Sequence, residues 1–247
     1  MDKKDIIWGI HSIEEALEKN IPVFKVFINK NTANPKINAL LKAFKQYSIP
    51  VQKVPSEKLN KFTRKNHQGI VAVVSPVEFQ KIENLLPGWF EQGIQPLVVI
   101  LDGVSDVRNF GAIVRSAVCM NAHAIIIPAS GSASINSDTV KTSAGAIYKI
   151  PICRTPSLFH TVKYLKNSGL QIMAATEKGT TSIQDADFTA PTAIIMGDEG
   201  KGVSNQLLKI SDFWIRIPMS RNFDSLNVSV STGIILYETF IQRTESQ

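Results

Sequence analysis

From Pro96 onward, short and wholly apolar runs alternate with helical patterns. They read PLVVILDGV, NFGAIVRSAVCMNA, AIIIP, SDTVKTSAGA, IYKIPI, LFHTVKYLKNSG, LQIMAAT, TAIIMGDEG, SNQLLKI, FWIRIP and a last long helix from about Ser225. A strand with no polar face must be buried on both sides, and strands alternating with helices form a parallel sheet with helices on both faces. The part from residue 96 to 247 is therefore expected to be a parallel-sheet α/β domain. The first third reads as a smaller α/β unit. Ser12 and Glu15 form a capping box that opens a short helix through Leu17. There follow a β-like VFKVFIN (23–29), an amphipathic helix (37–48), a strand (49–55), a short polar helix and a strand (69–77). Between the two parts lies FQKIENLLPGWFEQGIQ (79–95); its Pro87-Gly88 pair and lack of clear periodicity mark it as a linker. The expected division is thus 1–78, 79–95 and 96–247.

The charge is placed unevenly. Residues 1–78 hold 13 Lys/Arg against 7 Asp/Glu, whereas residues 79–247 hold 14 of each, so the whole net charge of +6 lies in the first third. Such an excess suits a polyanionic partner or a solvated lysine-rich surface. Within it, KFTRKNHQG (61–69) is a polar loop carrying Arg64, Lys65 and His67. The first fifteen residues lack the apolar stretch of a signal peptide, and no run approaches the ~18 apolar residues of a spanning helix. Cys119 and Cys153 sit in apolar segments and are expected to be reduced core residues. The four scattered His and two lone Cys give no metal-ligand spacing. The chain reads as cytoplasmic, metal-free and without a membrane span.

In parallel sheets ligands collect beyond the carboxyl ends of the strands, and three strand exits are unusual. The first is LDGVSDVRNFGAIVRSA (101–117). Asn109 suits a helix N-cap. Helical side chains lean toward the N-terminus, so Arg115 would reach back over Gly111 toward Asn109. Taken alone, Asn109 merely caps and Arg115 pairs with a surface carboxylate. The second is IIMGDEGKGVS (194–204), where Gly197, Gly200 and Gly202 enclose Asp198 and Glu199. Its spacing is neither the dinucleotide fingerprint nor a P-loop. Its acidic pair suits a cationic or hydroxyl-bearing ligand, and an ordinary tight turn fits equally. The third is IPMSRNFDSLNVSVSTGIILYE (217–238). Here Asp224 or Ser225 would cap a helix whose apolar face is Leu226, Val230, Ile234, Tyr237 and Ile241. Its first turns are crowded with Ser225, Asn227, Ser229, Ser231 and Thr232, poor helix formers that mark either a site or close packing.

In this order the three segments resemble the signature motifs of the SpoU-type (SPOUT superfamily) RNA ribose 2′-O-methyltransferases. The match runs through Asn109, Gly111 and Arg115; then Met196, Gly197, Glu199 and Gly202; then Ile217–Met219 with Ser225–Val230. Upstream, WGIHSIEEAL and NHQGI are similar to the ribosomal-protein-like substrate domain of the branch that methylates a guanosine of 23S rRNA. The resemblance implies a deep trefoil knot in the C-terminal domain, a homodimer formed through it, and S-adenosylmethionine as cofactor with no metal. By position it implies cofactor binding by Met196, Gly197, Glu199, Gly200, Gly202, Ile217, Pro218, Met219 and Leu226. It implies a catalytic group of Asn109, Arg115, Glu199, Ser225 and Asn227. Two departures touch this pattern: Val107 stands where relatives often have Pro, and the bulkier SRNFD loop (220–224) replaces a Gly that they often have near Arg221.

Methyl transfer from a sulfonium to a hydroxyl needs alignment and removal of one proton. Arginine stays protonated in proteins, so Arg115 is expected to clamp the phosphate beside the target ribose, with Asn109 and Asn227 orienting and Glu199 ordering its loop. The basic unit would hold rRNA through Arg64, Lys65 and His67, and Arg108 would add a phosphate contact. A tRNA methyltransferase of the same superfamily keeps the chemistry and changes the substrate. A non-catalytic RNA-binding protein and a nucleotide-dependent oxidoreductase are the readings from other classes.

Overall fold

The structure, a computed structural model, describes residues 5–220 and 225–245. The expected roles of Arg221 and Asp224 lie outside the described residues. Two compact units are present, one of residues 1–78 with 134–140 and one of residues 79–133 with 141–247.

The first unit runs β1 (Ile6–Trp8), α1 (Ile10–Glu18), β2 (Val23–Asn29), α2 (Pro35–Gln46), β3 (Val51–Val54), α3 (Ser56–Phe62) and β4 (Ile70–Val74). Its four-stranded sheet has the order β1-β4-β2-β3, with only the β2–β3 pair parallel. One face packs Val26, Ile28, Ile70 and Ala72 against Ile13 of α1 and Ile37, Leu40 and Phe44 of α2. The Ser12–Glu15 capping box does not form. The helix begins three residues earlier, after Gly9, and Ile10 N donates to Gln68 Oε1 at 2.9 Å. The cap comes from a distant loop, and Glu15 pairs instead with Lys19 one turn on, at 2.6 Å.

The second unit begins inside the expected linker. Segment 79–95 carries β5 (Phe79–Gln80) and α4 (Ile82–Glu91), not an irregular connection. Pro87 removes one helical hydrogen bond, yet Ile82 and Leu86 are buried in the main core, so tertiary packing overrides local propensity. The chain continues through β6 (Leu97–Asp102), α5 (Val107–Cys119), β7 (Ala124–Pro128), α6 (Ser137–Thr142), a 3₁₀ turn (Ala146–Tyr148), β8 (Ile152–Thr155), α7 (Leu158–Asn167) and β9 (Gln171–Ala175). It ends with β10 (Thr181–Ser182), β11 (Thr192–Gly197), α8 (Asn205–Leu208), β12 (Phe213–Arg216) and α9 (Val228–Glu245). The eight strands form one sheet in the order β10-β12-β9-β11-β6-β7-β8-β5, and every pair is parallel. Its central strands are buried on both faces, as their unbroken apolar runs require.

Two expectations about side chains change. Cys153 is buried, which pushes its thiol up to about 12, but Cys119 is exposed and not a core residue. On α9 the apolar stripe Val230, Ile234 and Tyr237 faces outward, while Val228, Thr232, Ile235, Leu236 and Thr239 are buried. Thr232 and Thr239 can be buried because their hydroxyls donate to Val228 O and Ile235 O, at 2.7 and 2.8 Å. The far end of α9 is fixed by Arg243, which donates to Phe188 O (2.9 Å), Gln95 O (2.7 Å), Ala190 O (2.8 Å) and Pro96 O (3.4 Å). Among the described residues, no helix is long and apolar enough to cross a membrane, and no cluster of His, Cys, Asp or Glu could hold a metal ion.

Arg243→Met keeps most of the stem but strips these carbonyls of their donors. It should lower unfolding free energy by about 2 kcal/mol, measured by urea denaturation; a loss under about 0.5 kcal/mol, the scale of a neutral surface change, would contradict the clamp.

Candidate active site

In an all-parallel sheet every carboxyl end lies on one side, so the exits of β6, β9, β11 and β12 open together. β6 and β11 are neighbours, with Gly197 opposite Asp102. From β6 the chain moves outward to β7 and β8, whereas it reaches β11 from β9 on the other side. This reversal is the switch point at which such sheets bind ligands.

The β11 exit folds back sharply. Gly202 N donates to Asp198 O at 2.8 Å, while Asp198 Oδ1 accepts from Gly200 N at 2.9 Å and Lys201 N at 3.0 Å. The returning arm passes so close that a Cβ on Gly197 would stand 2.1 Å from the carbonyl carbon of Gly202. Only glycine fits there. Asp102 Oδ2 then accepts from Ser204 N at 2.8 Å, fastening the loop to the end of β6. Asp198 is therefore consumed by the turn, and Glu199 at its tip is left to reach outward.

Glu199 receives residues from the other two motifs. Asn109 Nδ2 donates to Glu199 Oε1. Asn227 Nδ2 donates to the same oxygen at 2.9 Å and to Asn109 Oδ1 at 3.1 Å. A carboxylate only accepts, so both carboxamides turn their amino groups toward it. Neither Asn109 nor Ser225 caps a helix here. Asp106 caps α5, its Oδ1 accepting from Arg108 N at 2.8 Å and Asn109 N at 2.9 Å, which frees the Asn109 side chain. Asn227 caps α9: its Oδ1 accepts from Ser229 N at 2.9 Å, while its amino group faces Glu199. The helix starts at Val228, so Ser225, Leu226 and Asn227 precede it and are not its first turn.

Arg115 stands apart from this cluster. Six residues beyond Asn109, it lies about 9 Å along the axis and roughly 120° around it. Gly111 is no channel for it: α6 fills that space, and a Cβ on Gly111 would fall 2.0 Å from Thr142 Oγ1. Arg115 and Arg108 are exposed, and neither guanidinium has a polar partner among the described residues. His67, by contrast, is engaged within its own loop; Nδ1 accepts from Gly69 N at 3.0 Å and Nε2 meets Asn60 Oδ1 at 3.0 Å. Arg64 and Lys65 beside it are exposed.

Behind Glu199 opens a pocket of about 460 Å³. Of the residues that the resemblance assigns to the cofactor, Met196, Gly197, Glu199, Gly200, Gly202, Ile217, Met219 and Leu226 line it and Pro218 does not; Ser225, assigned to the catalytic group, lines it too. The exit of β9, Ala175–Lys178, forms a wall that the sequence reading passed over, although it too is a loop following a buried strand. Ser231 and Ile235 of α9 complete it. Apolar side chains from Met196, Ile215, Ile217, Leu226 and Val228 face a rim bearing Glu177, Asp198 and Glu199 together with Lys178, Lys201 and Arg216. Such a lining suits a ligand with both apolar and charged parts.

Both units are similar to known proteins. Residues 96–237 match the sequence model of the SpoU rRNA Methylase family, and residues 6–80 match that of the RNA 2′-O ribose methyltransferase substrate binding domain. A Bacillus subtilis (strain 168) protein named for the TrmH family tRNA/rRNA methyltransferases, YacO, is 30% identical over 97% of this chain and 96% of its own. A Staphylococcus aureus (strain MSSA476) protein of the same naming is 33% identical over 96% of each chain. Among solved structures, the SpoU methyltransferase AviRb of Streptomyces viridochromogenes, in complex with the cofactor AdoMet, shares the fold at a TM-score of 0.62 and 24% identity, covering 97% of this chain and 90% of that one. The TrmH/SpoU tRNA modifying enzyme of A. aeolicus is 33% identical, with a TM-score of 0.57, over 67% of this chain and 85% of its own. Matched over both its units and across nearly the full length of its relatives, the chain belongs to the SpoU rRNA methylase family of RNA methyltransferases.

Proposed function

We propose that this protein methylates the ribose 2′-hydroxyl of a guanosine in 23S ribosomal RNA, using S-adenosylmethionine. The observation that carries the proposal is the junction of Asn109, Glu199 and Asn227, which joins all three motifs at the edge of a pocket with the right chemistry. The apolar side chains of the lining suit the adenine, and its charged side chains suit the amino, carboxylate and hydroxyl groups. Bound there, S-adenosylmethionine supplies an electrophilic methyl group. The chain's own residues do the aligning. Glu199, held by two carboxamides, fixes the loop 198–202 against the start of α9. Arg115 takes the phosphate next to the target ribose and favours loss of the hydroxyl proton to that phosphate or to water.

The basic first unit supports ribosomal RNA as the substrate, and the match to a substrate-binding model supports its role. The identity shared with the A. aeolicus tRNA modifying enzyme favours tRNA as the second reading. The knotted path and the homodimer belong to the same proposal. The outward stripe of Val230 (49% exposed), Ile234 (36%) and Tyr237 (54%), with Leu226 (40%) before it, is a contiguous apolar surface of the kind a second copy covers.

Incubation with methyl-labelled S-adenosylmethionine and total RNA should label 23S rRNA at one guanosine and leave an alkali-resistant linkage there. Label in tRNA would establish the second reading, and no label would refute both. Arg115→Lys keeps the charge but loses the planar fork; kcat should fall on the order of 10²-fold, and full activity would refute the clamp. Ile234→Glu with Tyr237→Glu should convert a dimer to a monomer in sedimentation velocity; an unchanged sedimentation coefficient would refute the α9 interface.

A further inference from the structure

We propose that the first unit grips the phosphate backbone of its RNA where Lys25 of β2, Lys58 of α3 and Lys65 of the following loop gather over the rings of Phe27 and Trp8, and does not stack a base on Phe27. The proposal rests on the RNA methyltransferase reading above. The register places Trp8 and Phe27 on either side of Val71, so both rings share one face of the sheet, opposite the one that α1 and α2 cover. Two strand spacings separate them, about 10 Å.

The rings on this face are occupied by lysines. Lys25 Nζ lies 5.2 Å and Lys58 Nζ 5.6 Å from the centre of the Phe27 ring, and Lys65 Nζ lies 5.2 Å from that of Trp8. Phe62 of α3 packs on Phe27 with centroids 4.7 Å apart, and Phe27 is only 8% exposed. No ring face is therefore left on Phe27 for a base. What the rings do is hold the lysine stems and aim their ammonium groups.

None of these lysines has a carboxylate partner among the described residues. Partial burial and then the neighbouring charge of Lys58 hold the Lys25 ammonium below the usual lysine range. Two cations fixed over one ring without a counter-charge repel each other, and an anion set between them removes that repulsion. A phosphate backbone supplies such anions repeatedly, at a spacing that a row of ammonium groups can follow. The unit that carries this face also carries the whole charge excess of the chain.

The test compares two full-length triple variants with the same change in charge, Lys25→Gln/Lys58→Gln/Lys65→Gln and Lys36→Gln/Lys42→Gln/Lys45→Gln, the second set on α2. Affinity for fluorescently labelled 23S rRNA is measured across a salt series. The first variant should bind on the order of 10-fold or more weakly at 0.1 M salt, with a salt slope shallower by about 2; the α2 variant should keep nearly the wild-type slope. A first variant with an unchanged slope, or an α2 variant that loses as much, would overturn the proposal. Wild-type protein that binds this RNA but methylates none would overturn the functional reading instead.

Discussion

One carboxylate oxygen organises this site. Glu199 Oε1 accepts from both Asn109 and Asn227, residues 118 positions apart in the chain, the first in α5 and the second just before α9. An acceptor of this kind can be shared only if three separately folded segments arrive within hydrogen-bond reach, and much of the nearby structure serves that end. Asp106 takes over the capping of α5, so that Asn109 is free. Asp198 closes the β11 turn, so that Glu199 stands at its tip. Asn227 uses both ends of its carboxamide, the oxygen to cap α9 and the nitrogen to reach Glu199. The start of the last helix and the position of the β11 loop are thereby set by the same side chain.

The sheet explains why those segments can meet. Parallel strands deliver every exit to one side, and the order of the strands reverses between β6 and β11. The pocket behind Glu199 is walled by the exits of β9, β11 and β12 and closed by the N-terminal turns of α9. Small residues that harm helix propensity, such as Ser231, occur there because they line the cavity.

The buried strands were legible because a strand covered on both faces leaves no freedom to alternate, and β6, β7 and β11 stand where their apolar runs lie. The identities of Asn109, Glu199 and Asn227 were legible through motif spacing, but their geometry was not. Asn109 is a good capping residue by type, and nothing local says that Asp106, three residues earlier, takes that role. Arg115 and Gly111 illustrate the opposite failure: the space above Gly111 is filled by Thr142, a contact no local rule anticipates. Pro87-Gly88 disguised α4 as a linker, since tertiary burial and not propensity stabilises that helix. The apolar stripe of α9 was read correctly as a stripe, but its direction depends on the packing of the remaining faces.

The central claim is that Asn109 and Asn227 act as one unit through Glu199 to shape the cofactor pocket. Calorimetric affinities for S-adenosylmethionine in Asn109→Ala, Asn227→Ala and the double variant form a cycle that isolates their coupling. A coupled unit predicts that the double variant binds about as weakly as the worse single variant, with an interaction energy of about 1 kcal/mol or more. Losses that simply add would show that the two carboxamides act independently and would contradict the claim.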